Sequence, residues 1–379
     1  MSVKVLHADK ILLSGKFVSN QAIIIEHGKI IDIAPLQNIP TSTVVEEIPK
    51  GFLIPGLIDI QVNGGGGTLF NDDPSVTTIE TIGTAHRKFG TTTFFPTLIS
   101  DDLEKISMAI AAVDEAIRIG VPGVAGIHIE GPFLSKEKKG IHDAGKFKCL
   151  KPEDIKLLSS LKSGKTLITL APETNDGKLI SQLVKSGIII AAGHSNASYE
   201  QTIAGVKAGI TGFTHLYNAM SPFQSREPGV VGAAFESTDT WASIIADGFH
   251  VHPAAIKHAI KAKGTNKTIL ITDAMPTVGS PKNEFWLGSE KIIAAGGKCT
   301  NKDGVLAGSN LDMISAVKYI AENVGYSLED AVKMASLSPA TFMGLDNELG
   351  TIAVGKKANF ILMSEKFDVL NVWINGVQY

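Results

Sequence analysis

The chain has 379 residues, of which 44% are hydrophobic and 19% are charged; this excludes disordered and fibrous proteins and leaves room for a large core. Its net charge of −3, with both signs mixed along the sequence, excludes a broad electrostatic attraction for nucleic acid or for a membrane surface. The two cysteines, Cys149 and Cys299, form no CxxC pair, so we expect free thiols in a reducing compartment.

Both ends of the chain have the character of short β-strands. Residues 4–50 have this pattern. The N-terminal residues 1–7 lack the long apolar stretch of a signal peptide, and no stretch of about 18 apolar residues occurs, so we expect a cytoplasmic protein without a membrane span. Residues 21–26 and 30–33 flank a turn, which predicts a hairpin. Residues 359–363 and 369–374, followed by Asn375-Gly376, predict further strands. We therefore expect one small β-sandwich built from both termini.

The middle of the chain alternates strand and helix patterns. Eight strands are predicted, at residues 52–59, 91–95, 124–130, 166–170, 188–192, 212–214, 241–246 and 268–272. Helices are predicted at 77–89, 102–119, from 152, and at 177–186, 198–208, 253–263 and 311–322. This alternation is typical of an α/β fold with a (β/α)₈ TIM-like barrel. The expected domains are a composite sandwich of residues 1–52 and 352–379 and a barrel of residues 53–351.

Two segments are too long to be simple connections between barrel elements. Residues 131–150 are rich in glycine and lysine, and residues 275–300 contain a hairpin-like stretch at 285–293. Loops of this length in a compact domain are typically lids or binding loops. Their conformation does not follow from the sequence.

Five apolar strand patterns end in a side chain that can bind metal or move a proton. These residues are Glu130, His194, His215, Asp247 and Asp273. The carboxyl ends of parallel barrel strands are where barrel enzymes place their active sites. The pattern therefore predicts a hydrolase.

Glu130, His194 and His215 are candidates for a metal site. Their spacing fits neither a zinc finger nor HExxH, but it suits ligands that come from separate strands. The alternative is that each is a hydrogen-bonding residue, and three such strand ends together favour ligands. Two imidazoles and one carboxylate leave an open position for water, as in catalytic zinc sites. Iron, cobalt and manganese remain alternatives.

Asp273 is the candidate for proton transfer. An aspartate beside an activated water can take its proton and pass it to a leaving amine. The alternative is a helix N-cap, which the following Ala274-Met275-Pro276 does not favour. His128 lies on the same strand face as Glu130, and we interpret it as a packed residue or a support for a metal ligand rather than a ligand.

Several residues after the sixth and seventh strand patterns are candidates for binding an anion. Arg226 lies in a polar turn, and Asn218, Ala219, Asp247 and His250 lie close to it in the sequence or at a strand end. Arginine offers a planar fork for phosphate, and backbone amides add donors. A plain surface arginine remains an equal alternative. The run 64–67 of four glycines has no nucleotide-binding motif and predicts a flexible turn near the site.

Eight segments together resemble the N-acetylglucosamine-6-phosphate deacetylase family of the amidohydrolase superfamily. They are residues 54–64, 128–133, 192–195, 214–220, 226–229, 246–250, 272–274 and 350–359. The resemblance runs nearly end to end, and the segments 128–133 and 214–220 are highly specific. It implies hydrolysis of the acetamide of N-acetylglucosamine 6-phosphate to glucosamine 6-phosphate and acetate, in amino-sugar catabolism.

The resemblance also implies roles for individual residues. Glu130, His194 and His215 would bind one divalent metal, Asp273 would accept and donate the proton, and His142 would polarise the acetamide carbonyl. The substrate-binding residues would be Ile141, His142, Asn218, Ala219, Arg226, Asp247, His250, Leu306, Ala307, Gly308 and Ser309. Members of the family are homodimers, so Arg226 would act either in its own site or in that of the neighbouring subunit.

One departure from the superfamily concerns the first barrel strand. Many amidohydrolases carry HxH there and bind a second metal, whereas this chain has Gln61 and Asn63. Amides are poor zinc ligands beside imidazole, so we predict a single tight metal, with Gln61 holding a water near it. The missing pair also argues against a dihydroorotase-like cyclic amidohydrolase, and the intact ligands argue against a non-catalytic scaffold. The sequence leaves open the choice between N-acetylglucosamine and N-acetylgalactosamine phosphates.

Overall fold

A parallel barrel forms the centre of the computed structural model, which describes residues 3–379. Its eight strands are Leu57–Val62, Thr91–Ile99, Gly126–Glu130, Lys165–Leu170, Ile189–Ala192, Gly212–Phe213, Trp241–Ile245 and Thr268–Ile271. They pair in sequence order, each with the next, and are called the first to eighth barrel strands below. The predicted fold class is confirmed.

The first and eighth barrel strands meet and nearly close the barrel. The backbone amide of Asp273 donates to the carbonyl of Gln61 at 3.0 Å, and the amide of Asn63 donates to the carbonyl of Ala274 at 3.0 Å. The strands are almost entirely buried and rich in isoleucine, leucine and threonine, as expected of strands covered on both faces. This contact between the first and eighth strands, called the seam below, places residues 61–63 beside residue 273.

Two of the barrel strands differ from the sequence-based prediction. The segment predicted at 52–59 is split, because Phe52–Pro55 pairs with the C-terminal strand Phe360–Met363 and only Leu57–Val62 enters the barrel. The second barrel strand continues past Pro96 to Ile99 instead of ending at 95. Pro96 lies opposite Val62 at an irregularity in the pairing, where the missing N–H does not break a regular ladder.

Helices cover the outside of the barrel. They are Val76–Arg87, Leu103–Arg118, Asp154–Leu158, Gly177–Lys185, Tyr199–Ala208, Gly229–Glu236, Pro253–Lys263, Met313–Tyr319, Leu328–Ala335 and Leu337–Phe342, with a π-helical turn at Ile320–Val324. Side-chain caps define the starts of several of them, as at Ser198, which forms a capping box with Gln201. The helices at 229–236, 328–335 and 337–342 were not predicted. Among residues 3–379, no helix has both the length and the apolar character needed to cross a membrane.

Both chain ends build one eight-stranded sheet beside the barrel. Its strands are Lys4–Leu13, Lys16–Glu26, Lys29–Pro35, Glu46–Glu47, Phe52–Pro55, Phe360–Met363, Val369–Ile374 and Val377–Gln378. Both predicted turns have left-handed backbones, with φ of 51° and 76° at His27-Gly28 and of 50° and 72° at Asn375-Gly376, as tight hairpins require. The sheet has its own small core, which includes Phe360 and Trp373. The domain limits at 52 and 352 stay a prediction.

The two long loops lie over the mouth of the barrel. The first contains short 3₁₀ turns at Lys136–Lys138 and Ala144–Lys146. The second forms a four-stranded antiparallel sheet of Glu284–Leu287, Glu290–Ala295, Lys298–Thr300 and Leu306–Ser309, which includes the predicted hairpin. Cys149 is exposed and Cys299 buried, and both are free thiols.

Candidate active site

Glu130, His194 and His215 converge at the carboxyl ends of the third, fifth and sixth barrel strands. All three are buried, and one ligand atom from each lies within 4.8 Å of the others. The Glu130 Oε1 atom is 2.9 Å from His215 Nε2 and 3.3 Å from His194 Nε2. The structure therefore brings together three residues that are distant in the sequence.

The donor set of these three residues fits a divalent metal. His194 Nδ1 lies 2.8 Å from the carbonyl oxygen of Lys138, so this nitrogen carries the proton and the lone pair of Nε2 faces the carboxylate. The Nε2 atoms of His194 and His215 are only 3.1 Å apart. Two imidazole nitrogens this close to each other and to a carboxylate form a donor set that suits a divalent cation.

The charge state of Glu130 is set by its neighbours. Burial opposes ionisation, but the adjacent imidazoles of His194 and His215 hold the pKa of Glu130 well below its usual value. Burial also works against the charged form of His215, yet the hydrogen bond to Glu130 raises the pKa of that imidazole above its ordinary value. The carboxylate is therefore available as an anionic ligand at neutral pH.

Asp273 lies beside this cluster at the end of the eighth barrel strand. Its Oδ1 atom accepts hydrogen bonds from the side-chain amides of Asn63 at 2.6 Å and Gln61 at 3.2 Å. Burial, together with the charge of Glu130, raises the pKa of Asp273 to about 6. A carboxyl group that titrates close to neutral pH is suited to accepting and returning a proton.

The Gln61 side chain links the cluster to Asp273. Its Nε2 atom donates to Glu130 Oε1 at 3.1 Å as well as to Asp273. The amide thus lies on the first strand, where many amidohydrolases carry the HxH pair. Its role in holding a water near a metal stays a prediction.

A second set of hydrogen bonds holds the backbone around Asp273. The Thr272 hydroxyl donates to Asp59 Oδ2 at 2.5 Å, and Asp59 Oδ1 accepts from the backbone amides of Gln61 and Thr272. The Ser309 hydroxyl donates to the Thr272 carbonyl, and the Ser309 amide donates to the Asp273 carbonyl at 2.9 Å. Burial raises the pKa of Asp59 to about 7.

His142 lies on the other side of Glu130, in the loop that follows the third barrel strand. Its Nε2 atom is 3.9 Å from Glu130 Oε2, and its Nδ1 atom lies 2.8 Å from the Ser100 hydroxyl. Burial, with a smaller contribution from the His194 ring, lowers the pKa of His142 to about 3. The ring is therefore neutral, and it faces the cluster with one nitrogen.

The cleft is also lined by residues that were predicted to bind an anion. Asn218 and Ala219 follow the sixth barrel strand, and His250 follows the seventh. Asp247 does not line the cleft, but its carboxylate lies 2.6 Å from His250 Nδ1 and accepts the backbone amide of His250 at 2.9 Å. Burial opposes ionisation of Asp247, yet the hydrogen bond with His250 lowers its pKa. Asp247 thereby fixes the orientation of the imidazole.

The cleft between these groups encloses about 350 Å³, within the range of small-molecule sites. Ile141, Leu306 and Gly308 line it as predicted. The Ala307 side chain instead packs in a small apolar cluster. The Ser309 hydroxyl is already used by the backbone of Thr272.

Arg226 is another predicted site residue that the chain does not bring to the cleft. It lies in an exposed turn, and among residues 3–379 it is absent from the lining of the cleft. Its predicted contact with the substrate would therefore need the neighbouring subunit or a movement of the turn.

Two further sequence interpretations concern residues near the site. The Nε2 atom of His128 lies 2.8 Å from the Thr169 hydroxyl, which in turn contacts the Thr214 hydroxyl at 2.6 Å. His128 is thus a packed residue beneath the cluster, and burial lowers its pKa to about 4.

At Gly64 an added Cβ would lie 2.5 Å from the carbonyl of Thr68 and 2.9 Å from the backbone of Pro276, so glycine permits this close approach.

The backbone is left-handed at several of the site residues. The φ angles are 48° at His194, 34° at His215, 49° at Ala219 and 53° at Asp273. Residues other than glycine rarely adopt this region, and such conformations cluster at functional sites. The fold therefore holds these side chains in positions that the chain alone would not choose.

Sequence reasoning missed the residues that support the site from below. Ser100 contacts His142, and the Ser243 hydroxyl accepts the backbone amide of His215 at 2.8 Å. Ser100 directly follows the second barrel strand. If the second strand had been predicted to continue through Pro96 to Ile99, Ser100 would have been recognised as a residue that follows a strand end, like the other candidates.

Comparisons with known proteins agree with this geometry. The Amidohydrolase family matches residues 52–378. An N-acetylgalactosamine-6-phosphate deacetylase of Shewanella is 46% identical over 329 residues, which are 87% of this chain and 83% of that protein. An N-acetylglucosamine-6-phosphate deacetylase of Haemophilus influenzae is 35% identical over 357 residues, 93% of each chain. The crystal structure of N-acetylglucosamine-6-phosphate deacetylase from Pasteurella multocida has a TM-score of 0.96 at 34% identity, with both chains fully covered.

Proposed function

The chain belongs to the amidohydrolase family, and from this premise we propose that it hydrolyses the acetamide of N-acetylglucosamine 6-phosphate to glucosamine 6-phosphate and acetate. One observation carries the proposal. Glu130, His194 and His215 converge on one position at the barrel mouth, with Asp273 beside them and a sugar-sized cleft above. Relatives that bear this activity in their names cover nearly the whole chain.

Glu130, His194 and His215 would hold one divalent metal, with zinc as the first candidate. A divalent ion at this position lowers the pKa of its water and polarises a carbonyl. Iron, cobalt and manganese accept the same ligands. Gln61 and Asn63 are amides that donate to the carboxylates around the cluster, which supports a single ion.

Asp273 and His142 would perform the proton transfer and the polarisation. Asp273 accepts a proton from the attacking water while the water oxygen bonds to the acetyl carbon. Asp273 then donates that proton to the sugar nitrogen as the C–N bond breaks. His142, on the opposite side of Glu130, donates a hydrogen bond to the acetamide oxygen as negative charge develops there. Acetate and the free amine are the products.

The phosphate of the substrate would bind beside Asn218, Ala219 and His250. These three residues line the cleft, and Asp247 holds His250 in place. Arg226 is exposed, so we include in the proposal a homodimer in which this arginine reaches the neighbouring subunit's phosphate.

Acetate release from metal-reconstituted protein tests the proposal directly. The panel consists of N-acetylglucosamine and N-acetylgalactosamine, each with and without the 6-phosphate. We expect rapid release only from phosphorylated sugars. Equal rates on the unphosphorylated sugars would contradict the proposed phosphate-binding residues. No acetate release from any sugar of the panel would reject the deacetylase function.

N-acetylgalactosamine 6-phosphate is the second candidate substrate. The Shewanella relative that carries this substrate in its name shares 46% of aligned positions with the chain. The two sugars differ only in the orientation of one hydroxyl group. The ratio of kcat/KM values for the two phosphates decides between them.

A further inference from the structure

Ser100 holds His142 from behind, at the side of the ring that faces away from the metal cluster. The Ser100 hydroxyl lies 2.8 Å from His142 Nδ1, and the Ser100 backbone amide donates to the same nitrogen at 3.3 Å. Ser100 is 7% exposed and His142 3% exposed. Water therefore has little access to this contact.

The backbone contact decides which ring nitrogen carries the proton. An N–H group can donate to Nδ1 only if that nitrogen presents its lone pair. In a neutral imidazole the single proton must then lie on Nε2. The Nε2 atom is the one that faces Glu130 Oε2, at 3.9 Å.

The segment that carries Ser100 is itself fixed. The Asn71 side chain pairs with the backbone of Ile99, accepting from its amide at 2.9 Å and donating to its carbonyl at 3.0 Å. On the other side Ser100 is packed against Gly131, where an added Cβ would lie 2.2 Å from the Ser100 hydroxyl. Neither Ser100 nor the His142 ring has room to turn freely.

We propose that Ser100 is a positioning residue that holds His142 as the Nε2–H tautomer and aims that N–H at the acetamide oxygen. The proposal rests on the proposed deacetylase function, in which His142 polarises the carbonyl. Ser100 does not touch the substrate, and it acts through the orientation and proton position of the imidazole. A misplaced proton would present a lone pair to the developing oxyanion, which repels it.

A double-mutant cycle between Ser100 and His142 tests the proposal. In the zinc-loaded parent, Ser100→Ala removes the hydroxyl but keeps the backbone amide, so we expect about a tenfold loss of kcat, the size of one hydrogen bond, with KM and zinc content unchanged. In a His142→Ala background, the same Ser100→Ala change should have no further effect on kcat. Equal losses in both backgrounds would show that Ser100 does not act through His142.

Ser336→Ala is the matched control, because Ser336 is equally buried and donates to the Val332 carbonyl at 2.6 Å on a helix outside the cleft. Its kcat should stay at the parent value. If Ser100→Ala does not fold, NMR of the zinc-loaded parent with ¹⁵N-labelled histidines still decides, since a proton on His142 Nδ1 would overturn the proposal. A parent without deacetylase activity would reject the proposed function instead, so the two failures are distinguishable.

Discussion

The side-chain amide of Asn63 donates a 2.6 Å hydrogen bond to Oδ1 of Asp273 across the seam between the first and eighth barrel strands. Burial and the nearby charge of Glu130 raise the pKa of Asp273 to about 6, while the hydrogen bond from Asn63 opposes that rise. The amide therefore stabilises the carboxylate form, which is the form that accepts a proton. It also points one oxygen of Asp273 in a fixed direction.

Replacing Asp273 by asparagine should abolish proton transfer without closing the cleft. We expect kcat to fall by about 10²–10⁴-fold, the usual contribution of general acid–base catalysis, while the substrate still binds. Acetate release gives kcat, and calorimetric titration gives the affinity for N-acetylglucosamine 6-phosphate. Asp9→Asn, a change at an exposed position of the terminal sheet, is the control. Near-normal turnover of Asp273→Asn would remove Asp273 from its proposed role.

Removal of one ligand side chain should empty the metal site of a folded protein. Glu130→Gln and His194→Ala each take away one of three converging donors, so we expect bound metal to fall from about one ion per chain to a small fraction, with activity lost in parallel. Elemental analysis after dialysis measures the metal, and circular dichroism checks the fold. His258→Ala, at an exposed histidine, should keep the full metal content.

Chelation should have the same effect on the parent protein and should be reversible. Activity lost on treatment with a chelator is expected to return when zinc, cobalt or manganese is added, because all three accept nitrogen and oxygen ligands. Full activity in protein shown to contain no metal would contradict the assignment.

Arg226→Ala should weaken substrate binding rather than the chemical step. We expect KM for the phosphorylated sugar to rise about tenfold or more, the size of one charge-assisted hydrogen bond, with kcat little changed. Steady-state kinetics at several salt concentrations measures both constants. Arg118→Ala is the control, because Arg118 is exposed and pairs with Glu115 on a helix surface. An unchanged KM in Arg226→Ala would place the phosphate contact elsewhere.

Asp59 should make the stability of the protein depend on pH. Burial raises its pKa to about 7 from the ordinary aspartate value of 3.8, so the folded state binds this proton more tightly than the unfolded state does. The resulting stabilisation is complete below about pH 4 and is lost as pH rises through 7, at about 1.4 kcal/mol per pH unit at most. Asp59→Asn cannot titrate. Its Tm relative to the parent should therefore be higher at pH 8 than at pH 5.

Melting curves of chelator-treated protein at the two pH values measure this effect without a contribution from metal release. The Asp9→Asn variant should follow the parent at both pH values, because Asp9 is exposed. A Tm difference between Asp59→Asn and the parent that does not change with pH would show that Asp59 does not titrate in this range.

The part of the site that the sequence predicted consists of residues at the ends of apolar strands. Glu130, His194, His215 and Asp273 were found in this way, because strand periodicity and β/α alternation determine which end of a barrel strand is the catalytic one. Ser100 was missed because the second strand was predicted to end at residue 95, directly before Pro96. Proline usually ends such patterns, and only the irregular pairing opposite Val62 allows the strand to continue.

The residues that the sequence could not place lie in loops. Local periodicity does not describe how residues 131–150 and 284–309 fold over the barrel mouth, since their positions depend on contacts with distant strands. The helices at 328–335 and 337–342 were missed, and they end with Phe342, which packs beneath the barrel. Arg226 was found from its motif, yet the structure places it in an exposed turn outside the lining of the cleft.

The backbone is left-handed at His194, His215 and Asp273, with φ of 48°, 34° and 53°. The side chains that activity requires at these positions therefore lower the thermal stability of the protein. This conformation costs an L-residue roughly 1–2 kcal/mol, and glycine avoids most of that cost. A selection for thermal stability alone would therefore favour glycine at these three positions and would yield stable variants without hydrolase activity. Mutant libraries designed to raise the Tm of this protein should exclude these three positions.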